Sequence, residues 1–136
     1  MTDTETSSRR LIMIGCVVAG VGVAAGAFGA HMLKTILEPP MLAAYDTATR
    51  YQMYHAFGMV LVGMAVRIYD DRRLAKAGWL FATGMILFCG SLYGIALAGL
   101  KWLGPITPVG GLTFITGWGL LGWRVWRGMS QGEKSL

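Results

Sequence analysis

The sequence predicts an all-α, polytopic membrane protein: a four-helix transmembrane bundle with both termini cytoplasmic. Three observations carry that prediction. Four stretches without a charge, Leu11–Leu33, Tyr51–Val66, Ala77–Leu100 and Trp102–Trp123, occupy most of the 136 residues. Hydrophobic residues make up 54% of the chain and charged ones only 14%, where a soluble domain carries about 25% charged residues. Every lysine and arginine also lies at or beyond an end of those stretches.

A hydrocarbon core about 30 Å thick takes roughly 20 apolar residues at 1.5 Å rise each. The first, third and fourth stretches meet that length. The second is shorter, and a snorkelling Arg67 extends it to Tyr69. The first is expected to be an uncleaved span: too few apolar residues separate Arg10 from Cys16 for a lipoprotein signal core, and the apolar run continues to Leu33. Residues 1–10 are predicted to be a disordered cytoplasmic N-terminus, 11–126 the transmembrane domain and 127–136 a cytoplasmic tail.

Between the spans, the connection from Lys34 to Arg50 is the longest. Pro39-Pro40 cannot continue a helix from the preceding turn and marks a bend, with Pro40 suited to the first position of a new helix. Leu42, Tyr45, Thr49, Gln52 and Met53 recur at three to four residues, so the second helix is expected to begin well before the membrane. Asp46 and Arg50 are spaced for an ion pair on it. Asp70-Asp71-Arg72-Arg73 reads as a tight turn. Gly104 to Gly111 reads as the last turn, with Thr107 as cap and Pro108 at the first position of the fourth helix.

Charge distribution sets the orientation. Arg9, Arg10, Arg67, Arg72, Arg73, Lys76, Arg124, Arg127 and Lys134 fall on one side of a four-span chain, and Lys34, Arg50 and Lys101 on the other. By the positive-inside rule the first side is cytoplasmic, in the inner (plasma) membrane. The formal net charge of +5 belongs to these membrane flanks. No basic-aromatic patch or nucleic-acid module accompanies it, which excludes a nucleic-acid partner. Tryptophans and tyrosines cluster near span ends as an interfacial belt does. Trp118 is the exception, expected to pack laterally.

Twenty glycines supply the packing surfaces. Gly15, Gly22 and Gly26 on the first helix, Gly90 and Gly94 on the third, and Gly110 and Gly117 on the fourth let backbones approach where lipid provides no hydrophobic drive. The first helix is expected to be nearly central, with Gly22→Leu or Gly26→Leu disruptive. Cys16 and Cys89 lie at different depths and are read as small packing residues.

The polar residues that bear on function gather toward the outer face: His31, Asp46, Arg50, Tyr51, Gln52 and His55. His55 lies about 7 Å inside the apolar layer, counted from Arg50, and an ionisable group at that depth requires a partner. Structural packing against a neighbouring helix competes with a ligand or lipid-head contact and with haem ligation by His31 and His55. The two histidines have no metal-site spacing, and the nine methionines are scattered gap-fillers. No acid lies within a span, which argues against ion-coupled transport. No nucleophile, base and orienter come together, and mid-membrane Ser91 is expected to bond back to its own helix.

Four motifs follow one another: Gly26-Ala27-Phe28-Gly29-Ala30-His31, Tyr51-Gln52-Met53-Tyr54-His55-Ala56, Gly90-Ser91-Leu92-Tyr93 and Pro105-Ile106-Thr107-Pro108-Val109-Gly110-Gly111. In these the chain resembles the family called domain of unknown function 423, small membrane proteins of the transmembrane protein 256 and YgdD types. The resemblance runs from about Leu11 to Trp126, with methionine and valine where leucine-rich stretches are usual. It implies a small four-helix membrane protein and brings no catalytic residue. The expected function is non-enzymatic: a homo-oligomer or an accessory subunit of a membrane complex, without cofactor. The alternative is an outer-leaflet lipid, quinone or haem binding module at the His31/Arg50/His55 region, and the third reading is a small transporter.

Overall fold

The computed structural model describes residues 2–132, with side chains as far as Gly128; Lys134 and the last part of the expected tail lie outside the described residues. Four helical rods run back and forth along one axis. Helix α1 spans Asp3–His31 and α2 spans Pro39–Ile68. The third rod joins α3 (Ala75–Gly84), a π-helical turn at Met85–Cys89 and α4 (Gly90–Ala98). Helix α5 spans Ile106–Gly132. Two of the rods, Asp3–Thr35 and Arg72–Ala98, are long and apolar enough to cross a bilayer, and only 17% and 33% of their most apolar windows are buried. Core helices of a soluble protein would be mostly buried, so these rods turn apolar side chains outward.

Local chemistry explains where each rod starts and stops. The N-terminal residues, expected to be disordered, instead begin α1. Thr2 and Glu5 close a capping box: the Glu5 N–H donates to Thr2 Oγ1 at 3.2 Å, and the Thr2 N–H donates to Glu5 Oε2 at 2.9 Å. Four orphan donors at a helix start need acceptors, and this pair satisfies two of them. Helix α2 starts one residue earlier than expected, with Glu38 as cap and Pro39 and Pro40 in its first turn. As expected, it extends far beyond its apolar stretch. At the far end of α2 the chain turns through Asp70 (φ +45°), and the Asp71 carboxylate accepts the Arg73 N–H at 2.9 Å. Gly99 (φ +66°) ends α4 in the left-handed region that favours glycine.

Other local expectations are corrected. Thr107 does not cap α5, which starts at Ile106; its hydroxyl lies 2.7 Å from Ser91 Oγ and ties α5 to α4. Asp46 and Arg50 form no ion pair, whereas Arg72 pairs with Asp3 at 2.8 Å and Arg124 approaches Asp71 at 3.8 Å.

The packing also relocates the centre of the molecule. Helix α1, expected to be nearly central, rests almost entirely on α2; Met13, Val17 and Val21 on its other side are 64%, 66% and 57% exposed. The central element is α2, which buries Ala48, Gln52, His55, Ala56, Met59, Val62 and Val66. One glycine stripe can serve only one neighbour, and α2 presents different faces to α1 and to the third rod with α5.

The small residues differ in what stands opposite them. A Cβ on Gly15 would fall 2.8 Å from the Ala56 carbonyl oxygen, and one on Gly117 2.6 Å from the Phe81 ring. A Cβ on Gly110 would collide with the Phe88 backbone, and one on Gly94 with Leu103. Gly22 faces the flexible Met53 side chain, and Gly26 is in ordinary contact with Thr49. Gly90 is the correction: nothing lies within 4 Å of its open side. Gly63 plays the part more fully, since its Cβ would stand 2.9 Å from the Ser8 carbonyl oxygen.

Candidate functional site

Helix α2 places its polar side chains on two faces, and the six candidate residues divide between and beyond them. Gln52 points to the seam of α1, α2 and α4. Its amide donates to the Val18 carbonyl at 3.0 Å, and its oxygen accepts the Tyr93 hydroxyl at 2.7 Å. Tyr93 Oη also lies 3.2 Å from Thr49 Oγ1, and the Tyr45 hydroxyl donates to the Ala25 carbonyl at 2.8 Å. Tyr45 and Tyr93 meet edge to face at 5.2 Å between centroids. One glutamine therefore clasps three rods, each bond formed where water does not compete.

His55 lies on an adjoining face about 60° round the helix, packed between α3 and α5. Its ring stacks on Phe114 at 3.4 Å between centroids and 8° between planes, and meets Phe81 edge-on at 5.3 Å. Nδ1 lies 2.7 Å from the Tyr51 carbonyl oxygen, which can only accept, so Nδ1 carries the hydrogen. Nε2 is then the acceptor for the Trp118 indole N–H at 3.3 Å. Both ring nitrogens are engaged in a neutral imidazole. Trp118 packs laterally against Phe81 as expected.

Tyr51 joins His55 through that carbonyl and leans on Phe88 at 4.7 Å. Tyr51, Tyr54, His55, Phe88, Phe114 and Trp118 line an aromatic groove of about 510 Å³ that opens sideways between α2 and α5. A second, almost wholly apolar groove of about 330 Å³ lies behind the π turn, between Val18, Gln52, Met85, Cys89 and Tyr93. An extra residue per turn widens a helix there, and Cys89 is buried while Cys16, expected to pack, is exposed.

His31, Asp46 and Arg50 are exposed and take no part in either cluster. The seam pairs Gly29 with Tyr45 and Gly22 with Met53, which sets His31 near Tyr45. That is ten residues along α2 from His55, about 15 Å at helical rise. The two histidines do not converge on one ligand.

Sequence reasoning missed Tyr93, Thr49, Phe114 and Trp118 as partners. Tyr93 stood in a motif, yet an intramembrane tyrosine gives no signal of which helix it faces. Ser91 bonds back to the Phe88 carbonyl at 2.9 Å as expected, and also meets Thr107. Among the described residues no three His, Cys, Asp or Glu side chains gather around a common point.

A family profile described as "Protein of unknown function (DUF423)" matches residues 25–111. The chain belongs to the DUF423 family. A UPF0382 membrane protein of Staphylococcus haemolyticus is 40% identical over 110 residues, covering 81% of this chain and 89% of that protein. The UPF0382 membrane protein YwdK of Bacillus subtilis is 39% identical over 108 residues, covering 79% and 88%. No solved structure matches the chain. The DUF423 match takes in both faces of α2, the π turn and the Ser91–Thr107 contact. The relatives are named membrane proteins, and the outward-facing apolar rods make this chain one as well.

Proposed function

We propose that the chain is a non-enzymatic, multi-pass protein of the inner (plasma) membrane that acts by association, with its own copies or as an accessory subunit of a larger membrane complex. Each of the four rods spans the bilayer, and both termini are cytoplasmic. In support of the topology, the packing sets the α1 start, the Asp70–Arg73 turn and the α5 end at one end of the bundle, where most of the cations lie.

The single observation that carries the association reading is the free side of α1. Cys16, Gly20, Ala24 and Ala27 are all exposed there at helical spacing, and Gly20 meets nothing within 4 Å. The other stripe of the same helix, Gly15 and Gly22, is already buried against α2. Two small-residue stripes on one transmembrane helix serve two neighbours, and this chain supplies one of them.

Native mass analysis after mild extraction tests the reading. The expected result is a species larger than the lone chain, reduced to the monomer by Gly20→Leu with Ala24→Leu while the thermal melt stays put. A wild-type protein that emerges as a clean monomer would contradict it.

The aromatic groove beside His55 favours a second reading: a site for a flat, ring-bearing lipid such as a quinone. Haem is the weaker candidate, since His55 already uses both nitrogens and His31 is remote. A quinone carried through purification, and lost on Phe114→Ala, would support the groove; none, with a full complement of partner chains, would leave association alone.

A further inference from the structure

The cytoplasmic-side end carries a further cavity that neither the family nor the association reading explains. It holds about 530 Å³ and is lined by Ser7, Arg10, Arg72, Arg73, Lys76 and Trp79. Local packing builds it. Leu11, fully buried, presses into the space that a Cβ on Gly78 would occupy, and this seam brings α1 against α3 and sets Arg10 beside Lys76. The turn after α2 adds Arg72 and Arg73 above them. Arg72 is committed to Asp3 at 2.8 Å. Among the described residues no carboxylate pairs with Arg10, Arg73 or Lys76.

Three cationic side chains without an ion pair line one recess and suit an anion, with Asp70 and Asp71 on the far side of Arg73. Two features say which kind. Trp79, half exposed, marks the water–lipid boundary at the mouth of the recess. Lys76 and Trp79 are also walls of an adjoining groove of about 360 Å³, otherwise lined by Leu80, Thr83 and Leu120 and almost without polar surface. A cationic recess that opens across a tryptophan into an apolar groove matches a molecule with an anionic head and a hydrocarbon tail.

We propose that this recess holds the phosphate headgroup of an anionic phospholipid of the cytoplasmic leaflet, whose acyl chain follows the groove past Trp79. Arg73 and Arg10 supply forked N–H donors for phosphate oxygens, and Lys76 supplies a point charge at the neck. Juxtamembrane cations are attracted to anionic lipid in general; here the fold gathers them around one cavity. The inference rests on the spanning topology and not on a partner for α1.

Native mass spectrometry of the full chain in mild detergent, titrated with phosphatidylglycerol or phosphatidylcholine, tests it. Phosphatidylglycerol is expected to bind at least tenfold more tightly, and Arg10→Gln with Arg73→Gln and Lys76→Gln to abolish the difference at unchanged helicity. Lys34→Gln with Lys101→Gln, at the other end, serves as the control and leaves the preference intact. Should the triple variant fail to fold, the single Lys76→Gln is read instead, with at least a threefold loss expected. Equal binding of the two lipids, full preference in the folded variant, or displacement by millimolar inorganic phosphate would overturn the proposal, the last by showing a free-anion site. A failed topology would show separately, in the labelling of the inter-helical turns from outside the cell.

Discussion

Gln52 shows how much a single side chain decides in a bundle without a water-filled core. It is 8% exposed and holds α1 through Val18 and α4 through Tyr93. Interhelical hydrogen bonds in lipid are worth about 0.6 kcal/mol each on average and about 1.7 at most. Gln52→Leu should therefore cost about 1 to 3 kcal/mol for its two bonds, read as a lower midpoint in thermal or denaturant unfolding. Arg50→Gln, two residues away and exposed, should leave that midpoint unchanged. His55 makes a different contribution, through stacking on Phe114 and Phe81 and a long bond from Trp118. His55→Ala should destabilise the fold and shift Trp118 emission together, since the indole loses its acceptor. A variant with normal stability and unchanged emission would show that the imidazole is not a packing element.

At the scale of the elements, the glycines divide by what stands opposite them. Gly15 and Gly63 face backbone atoms that cannot step aside, at 2.8 and 2.9 Å from a would-be Cβ. Gly63→Ala or Gly15→Ala should each cost about 1 to 3 kcal/mol through overpacking. Gly90→Ala should be neutral or stabilising, because its side is open and alanine is the better helix former. Thermal melts of the three variants check the ordering, and equal losses in all three would refute it. Spacing made the stripe on α1 legible, and it made the long reach of α2 legible through Tyr45, Thr49 and Gln52. It did not show which stripe found a partner. Gly90 and Gly63 look alike as sequence, since a small residue marks a capacity for close approach and the neighbour decides its use. The candidate site was legible in the same partial sense. Tyr51, Gln52 and His55 all prove buried or in aromatic contact, but residues one apart on a helix point about 100° apart. Gln52 and His55, three apart, diverge by only about 60°, yet one meets α1 and α4 and the other α3 and α5; His31 belongs to neither seam. The order at the N-terminus was missed because a polar opening such as Thr2 to Glu5 is read as disorder until its capping geometry is seen.

The whole molecule is organised by asymmetry between its two ends. One end gathers Arg9, Arg10, Arg67, Arg72, Arg73, Lys76, Arg124 and Arg127, and the other Lys34, Arg50 and Lys101. Between them the rods turn apolar side chains outward and meet one another through small residues and the two seams of α2. The all-helical membrane class and the family membership were legible because hydrophobic length and motif order are one-dimensional properties. The position of α1 at the edge was not, since it depends on how four rods share the perimeter. The central claim, that all four rods cross the membrane with both termini inside, is tested most directly by labelling single cysteines in intact cells with a membrane-impermeant maleimide. In a background carrying Cys16→Ala and Cys89→Ala, the probes would be Glu5→Cys and Asp70→Cys at one end, and Thr35→Cys and Lys101→Cys at the other. Thr35→Cys and Lys101→Cys should label at once, and Glu5→Cys and Asp70→Cys only after the cells are permeabilised. Labelling of Asp70→Cys from outside intact cells, or protection of Lys101→Cys, would contradict it.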